Sequence, residues 1–532
     1  MLTTLSAIFL SALFCAVWYN YRIRTSGFRD VPGPKNDSWV FGHFLKIWKS
    51  EPSALLEEWK RQYGPTFKFY VFFGQQRLWT LDHKAIHHVI ANDHIYEKPE
   101  AIRYSLARIL GAGLVITEGE KHKQQRRVMN PAFGPVQIRE LTEFFVEYSL
   151  KLRDAWFEQV FEQGGASAKV DVLSWLSRTT LDVIGRAGFN YEFNALKGDR
   201  NELNQAMATI FKREPYFRVI HSLRMWMPVL RLIPMPLRSD KEVRLAQSKM
   251  MDIGKRLVHD TQTSAASAEK MGEGNKGGRD LLSLLVRANM SKDIHESLRM
   301  SDEDVLAQVP TFFVAGHETT STATTWALLA LSQHPGIQTK LREELFDAPT
   351  DTPTMDELNA LTYLDCFVKE SLRVYSPVRS ASRVATVDDV LPLGTPFIDS
   401  RGVAYHEIHI KRGSQIVIPI TAMNHDLAVW GSDALEFRPE RWLAPPEGSK
   451  TMPGIWSNQM TFLGGHHACI GYRFAIVEMK ALLFVLLRAF KFEEAVPASE
   501  IMSKSSFVRR PFIRSDPQRE SQLPMIIRPM AK

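Results

Sequence analysis

Cysteine is scarce in this 532-residue chain: Cys15, Cys366 and Cys469 are the whole set. An odd and widely separated trio makes no disulfide framework, which fits a reducing compartment. No Cys-x-x-Cys spacing suggests structural zinc. Dense basic runs interleaved with aromatics are also missing, so a net charge of +7 does not argue for nucleic acid. It favours, weakly, acidic partners or an anionic membrane surface. No internal repeat is evident and no long linker divides the middle of the chain, so a solenoid is excluded. Hydrophobic residues make up 45%, enough to fill a large core.

Charge is absent from Leu2 to Tyr19, a stretch dominated by Leu, Ile, Phe, Ala and Val. Its length just suffices to span a bilayer as a helix, and it exceeds a typical signal-peptide apolar region. No Lys or Arg precedes it and no A-x-A-like cleavage site follows. Arg22, Arg24 and Arg29 come after it, which orients the rest of the chain to the cytosolic side. Val31-Pro32-Gly33-Pro34 then reads as a stiff, turn-forming hinge. The expected organisation is an anchor over 1–20, a basic, proline-rich hinge over 21–38 and a catalytic domain over 39–532.

Alternating runs at Thr66–Phe73 and Arg77–Leu81 read as strands, as do Val403–Ile410 and Gln415–Ile420. Long amphipathic helices are predicted at about 136–162, 171–187 and 241–262. Thr263–Gly278, rich in Ser, Ala, Gly, Glu and Lys, reads as a flexible surface loop. The fold class is mainly α with small β-sheets.

Three constellations carry chemistry. In Phe462-Leu463-Gly464-Gly465-His466-His467-Ala468-Cys469-Ile470-Gly471 a cysteine lies in a glycine-bracketed loop ahead of an apolar helix. Gly465 and Gly471 allow close backbone approaches, backbone N–H groups can point at the sulfur, and Phe462 can shield it. Ser301-Asp302-Glu303-Asp304 resembles a capping box that opens a helix to about His334. Within that helix, Ala315-Gly316-His317-Glu318-Thr319-Thr320 violates helix propensity in a way that marks functional sites. There Gly316 opens room for a ligand, Thr319 releases a backbone partner, and Glu318 feeds protons from solvent. Glu370 and Arg373, at i and i+3, share one helix face.

The cysteine loop resembles the haem-binding loop of the cytochrome P-450 superfamily, in which the thiolate is the proximal iron ligand. Ala315–Thr320 is similar to the superfamily's oxygen-activation motif, and Glu370-Ser371-Leu372-Arg373 to its Glu-x-x-Arg. Phe437-Arg438-Pro439-Glu440-Arg441-Trp442 supplies Arg441 as the third member of a structural triad. The resemblance implies a helix-rich triangular prism behind one transmembrane helix, holding haem b through Cys469. It assigns proton delivery to Thr319 and Glu318. Arg126 and His467 fall where propionate partners occur, and His122 stands where the family usually has tryptophan. Lys121, Lys123 and Arg127 would add positive charge where an acidic redox partner docks. Ala101–Thr117, made flexible by Gly111-Ala112-Gly113, and Ile210–Leu237 would handle substrate.

The implied activity is insertion of one oxygen atom of O2 into an apolar small molecule. Electrons come from NADPH through a reductase, with cytochrome b5 as a further donor. The chain is expected to be a monomer in the endoplasmic reticulum membrane. The style of the loop and anchor resembles fungal secondary-metabolism members, so a terpenoid or sterol-like substrate is expected. Alternatives are a detoxifying lipid or xenobiotic oxidase and a haem-thiolate isomerase or dehydratase. The intact Glu318-Thr319 pair argues against the isomerase.

Overall fold

The structure, a computed structural model, describes residues 26–49, 52–198, 224, 231, 238–270, 278–290, 299–505, 508–518 and 520–530. The apolar segment Leu2–Tyr19 and most of Ile210–Leu237 lie outside the described residues. Among those described, no helix is long and apolar enough to cross a membrane.

The strands run in chain order as β1 (Thr66–Tyr70), β2 (Gln76–Thr80), β3 (Tyr96–Glu97) and β4 (Ala168–Asp171). After them come β5 (Ala381–Ala385), β6 (Asp389–Ile398), β7 (Ala404–Ile410) and β8 (Gln415–Ile418). The chain closes on β9 (Phe490–Glu494), β10 (Ile501–Ser505), β11 (Arg509–Ile513) and β12 (Pro524–Pro529). The helices that matter for the site are α1 (His83–Ala91), α2 (Gly119–Met129), α3 (Pro135–Glu162) and α4 (Val172–Phe189). They continue with α5 (Asp302–Gln333), α6 (Thr362–Val374) and α7 (Tyr472–Ala489).

Two compact units emerge. The first comprises the described residues within Met1–Glu100, Ser380–Gly431 and Gly448–Ala468. It holds a five-stranded sheet in the order β1-β2-β8-β5-β3 and the separate β6-β7 hairpin. Phe67, Leu78, Trp79 and Ile416 fill the sheet core, where Phe67 and Trp79 stack at 4.7 Å. The expected hinge already belongs to this unit from Phe28 onward. Phe28 and Val31 are buried, and the Lys68 backbone N–H donates to the Pro32 carbonyl at 2.8 Å.

The second unit comprises Ala101–Arg379, Ser432–Glu447 and Cys469–Lys532. It is helical, with a β4-β12-β9 sheet and the β10-β11 hairpin at its edges. Its axis is α5, buried at nearly every position from Gln308 to Leu331. A helix with no polar stripe belongs in the middle of a bundle, and α5 packs against α4, α7 and β9. Ser301 caps it, its hydroxyl accepting from the Asp304 N–H at 3.1 Å.

Two expectations need correction. The helix Arg238–Lys270 runs through the first part of the segment read as a loop from Thr263. Gly111-Ala112-Gly113 is clamped rather than flexible. The Gln308 side chain accepts from the Leu114 N–H at 2.8 Å, and the Thr311 hydroxyl donates to the Leu110 carbonyl at 2.9 Å. A Cβ on Gly113 would meet the Thr311 hydroxyl at 2.3 Å, so here glycine serves contact, not freedom.

Candidate active site

In the second unit Cys469 lies two residues before Gly471, the cap of α7, which begins at Tyr472. Unpaired N–H groups and the dipole at a helix start favour an anionic sulfur. The Gly471 N–H donates to the sulfur, and the nearby Arg126 guanidinium also favours the thiolate. Burial outweighs both and pushes the thiol up. Yet the residue keeps an exposed surface. This donor set suits a cationic metal centre, which would deprotonate the thiol outright. Gly471 has φ −90 and a Cβ there would lie no closer than 3.7 Å to a neighbour. Its N–H aimed at the sulfur is as the sequence reading has it.

Arg126 and His122 sit one turn apart on α2. Arg126 is half-buried and donates to Asn130 at 3.2 Å, while His122 is buried at 2% exposure. His122 is thus not a solvated surface cation. The neighbouring lysines are largely neutralised: Lys121 pairs with Asp304 at 2.7 Å and Lys123 with Glu120 at 2.8 Å. Of the three cations expected to form a docking patch, exposed Arg127 keeps the clearest excess charge.

Between Gln308 and Leu331, Ala315, Gly316 and Thr319 alone escape full burial. Their spacing puts them on one face, so α5 opens one small window. The Thr319 hydroxyl donates to the Ala315 carbonyl at 2.8 Å. The next carbonyls are also drawn sideways: His317 Nδ1 bonds Phe313 at 2.6 Å, and the Thr180 hydroxyl of α4 donates to His317 at 3.0 Å. Such bonds compete with the helix ladder and loosen it locally. Gly316 also serves the packing of α5. A Cβ there would meet Ile184 of α4 at 2.9 Å, so glycine permits close helix contact. Glu318 is buried, and both its oxygens are held by the Arg510 guanidinium from β11.

Glu370, Arg373 and Arg441 come together with no solvent exposure. Arg373 grips Glu370 with two bonds of 2.9 and 2.8 Å, and Arg441 approaches it at 3.5 Å. The Arg438 N–H and the Trp442 indole complete the carboxylate shell at 2.9 and 3.0 Å.

In the first unit, the loop ending at Ala468 is tightly cradled. Gly465 has φ +68, and a Cβ there would meet the Ile90 carbonyl at 2.3 Å. At Gly464 the obstacle is the Pro453 carbonyl, at 1.9 Å. Asn424 accepts from the Met460 N–H and donates to the Thr461 hydroxyl, both at 2.8 Å. Phe462 packs edge-on against Trp456 at 5.6 Å. His467 lies 3.0 Å from the Lys98 ammonium.

The cytochrome P-450 family profile matches residues 32–512. The chain belongs to the cytochrome P-450 family. Cytochrome P-450 monooxygenase 205 of Postia placenta is 49% identical over 98% of this chain and 97% of its own length. Cytochrome P-450 monooxygenase 128 of the same fungus is 48% identical, over 95% and 93%. Cytochrome P-450 monooxygenase claQ of Ampulloclitocybe clavipes is 36% identical, over 93% and 92%. This cytochrome P-450 is a monooxygenase, and the family implies a haem-thiolate centre, a redox partner and a small-molecule substrate.

Sequence reasoning passed over four residues of this P-450. Lys98 gathers at His467, and Arg383 on β5 is 4% exposed beside Ser382. The pairing of Glu97 with Val384 brings the ends of β3 and β5, and so both cations, into one neighbourhood. Arg510 and Glu478 are the others; Glu478 on α7 is 1% exposed, with Thr320 as its polar neighbour. No local pattern announces any of them. His83 and His87 are a turn apart on α1, but no group of three metal-ligating side chains forms among the described residues.

Proposed function

We propose that Cys469 carries the haem iron and that Arg126, in the same unit, supplies a cation that its propionates require; the family resemblance gives His467 the same role. His122 supports Arg126 from one turn earlier on α2. When bound, the haem supplies dioxygen activation and transfer of one oxygen atom to substrate. The second oxygen leaves as water, formed with two electrons and two protons. The protein's share is to hold, to exclude water and to deliver those protons. Burial across Gln308–Leu331 keeps water away, and the window at Ala315, Gly316 and Thr319 leaves space above α5. Thr319 holds a hydroxyl at that window, and Glu318 is the nearest buried acid on the same turn.

The substrate is an apolar small molecule of terpenoid or sterol-like type. Its electrons come from NADPH through a flavoprotein reductase, with cytochrome b5 as a further donor. Leu2–Tyr19 anchors the chain in the endoplasmic reticulum membrane with the catalytic part in the cytosol. The observation that carries the site assignment is the pairing within one unit of a cysteine sulfur flanked by a cation and an N–H with one small opening in a buried helix. The full chain with reductase, NADPH and oxygen should convert a member of a terpenoid and sterol panel to a product one oxygen atom heavier. Peroxide rearrangement with no reductase-dependent product would overturn this reading in favour of an isomerase.

A further inference from the structure

The helix Glu100–Leu110 belongs, from Ala101 onward, to the helical unit. It opens the segment Ala101–Thr117, which contains two arginines, Arg103 and Arg108, and no Asp or Glu.

The two sides of this helix are used differently. Side chains at i, i+3, i+4 and i+7 share a face, which puts Arg103 with Leu106, Ala107 and Leu110. Tyr104 is turned about 100° away, and its ring lies under the Arg231 guanidinium at 3.9 Å. Arg231 Nε in turn donates to the Arg224 carbonyl at 3.0 Å, so that side is covered. The Arg103 side runs into α5. Its last member, Leu110, is fully buried, and the Thr311 hydroxyl donates to the Leu110 carbonyl at 2.9 Å. Thr311 stands one turn before Ala315, the first residue of the window in α5. Arg103, Leu106 and Ala107, by contrast, keep part of their surface open. A helix face that is closed where it meets α5 and open beyond lines a recess leading from the window. Along the helix, Arg103 stands about 10 Å from Leu110.

Arg103 differs from the other shielded arginines of this unit. Arg342, for example, gives its Nε to the Leu487 carbonyl at 3.0 Å. The Arg103 Nε is buried yet makes no hydrogen bond, and no carboxylate among the described residues pairs with its guanidinium. A shielded donor left unused is costly unless something outside the chain accepts from it. A guanidinium presents its N–H groups as a planar fork, which a carboxylate fits with two parallel bonds. Arg231, beside the next residue, adds positive charge that favours an anion. The rest of the face is Leu and Ala, so the partner is acidic at one end and apolar along its body.

We propose that Arg103 is a specificity-determining residue that binds the carboxylate of an apolar acid. The substrate is then a terpenoid or sterol-like acid, a class that rests on the apolar-substrate reading above. Its hydrocarbon body runs along Leu106 and Ala107 toward the window at Ala315, Gly316 and Thr319.

The test is a visible difference titration of the full-length haem-loaded protein with farnesoic acid and with farnesol, which share one hydrocarbon chain. The wild type should bind the acid at least about tenfold more tightly than the alcohol. Arg103→Gln should bring the two within about twofold, chiefly by weakening the acid, whereas a residue that only shaped the recess would weaken both alike. Arg103→Lys keeps the charge without the fork and should fall between them; it also serves if Arg103→Gln does not hold haem. No preference for the acid in the wild type, including no response to either probe, would overturn the assignment. So would a preference that these substitutions leave intact. Excess acetate should leave the farnesoic acid titration unchanged. Displacement by acetate would mark an anion site independent of the apolar face and would equally overturn it. The titration needs no reductase. Absence of reductase-dependent product therefore counts against the oxygenation reading alone, and loss of the acid preference leaves that reading standing.

Discussion

Two buried carboxylates of the helical unit each meet arginine, and they are built differently. Glu370 is wrapped by two guanidiniums, a backbone N–H and an indole N–H, and Arg373 further donates to the Ala434 and Glu436 carbonyls at 2.6 and 3.0 Å. The charged groups of Glu370, Arg373 and Arg441 do not reach water. Glu318 has a single guanidinium that is partly exposed, and a histidine beside it. Burying charge costs several kcal/mol per ion, repaid only when every group is paired. The first arrangement is saturated and has one low-energy state. The second has a spare acceptor and an exit, so it can have two. The difference separates a closed cluster from one that is open to water on one side.

The largest effect should come from opening the closed cluster. Glu370→Ala leaves the buried Arg373 guanidinium without its carboxylate and Arg441 with Asp433 alone, and should cost about 3–5 kcal/mol, read as a fall in thermal midpoint and in haem content. A loss under about 1 kcal/mol would mean that the cluster behaves like a surface pair. Next, the same substitution can be placed in both sites. Arg373→Lys should cost about 3 kcal/mol or more, since an ammonium cannot reproduce the fork and leaves buried acceptors unpaired. Arg510→Lys should cost less than about 1.5 kcal/mol, because water can reach that end of the pair. Equal losses in chemical denaturation would erase the distinction.

The smallest effect concerns Glu478, a buried acid with no arginine at all. Neither of its oxygens makes a well-formed hydrogen bond, and Thr320 is the nearest polar group. Burial holds its carboxyl well above the ordinary 4.5. The folded chain therefore keeps a proton that the unfolded chain has released, and this group's contribution to stability falls as pH rises above 4.5. Glu478→Gln removes that slope. Its thermal midpoint should gain on the wild type steadily from pH 5 to 8; a constant difference would contradict a neutral acid at this place.

How much of this was legible in the sequence follows from distance along the chain. Glu370 and Arg373 are three residues apart, and Arg441 announces itself within Phe437–Trp442. The cysteine loop is likewise one short run. The helix boundaries were readable where apolar spacing is regular, as at Pro135–Glu162 and Asp302–Gln333. Arg510 lies 192 residues from Glu318, and Lys98 lies 369 from His467. Each is an ordinary cation until the fold delivers it. Glycine misled in a different way: Gly113 and Gly316 look like freedom in one dimension and turn out to be close contacts in three. The helix to Lys270 was missed because Ser, Ala and Gly suggest a loop, although alanine and lysine favour helix.

Everything else depends on the sulfur at the start of α7. The most direct measurement is the absorption spectrum of the reduced, carbon-monoxide-bound protein, wild type against Cys469→Ser, at matched haem content. The wild type should show the strongly red-shifted Soret band that a thiolate ligand produces, and Cys469→Ser should lose it. A Cys469→Ser protein that keeps the band would mean that iron is held elsewhere and that Cys469 is not its ligand.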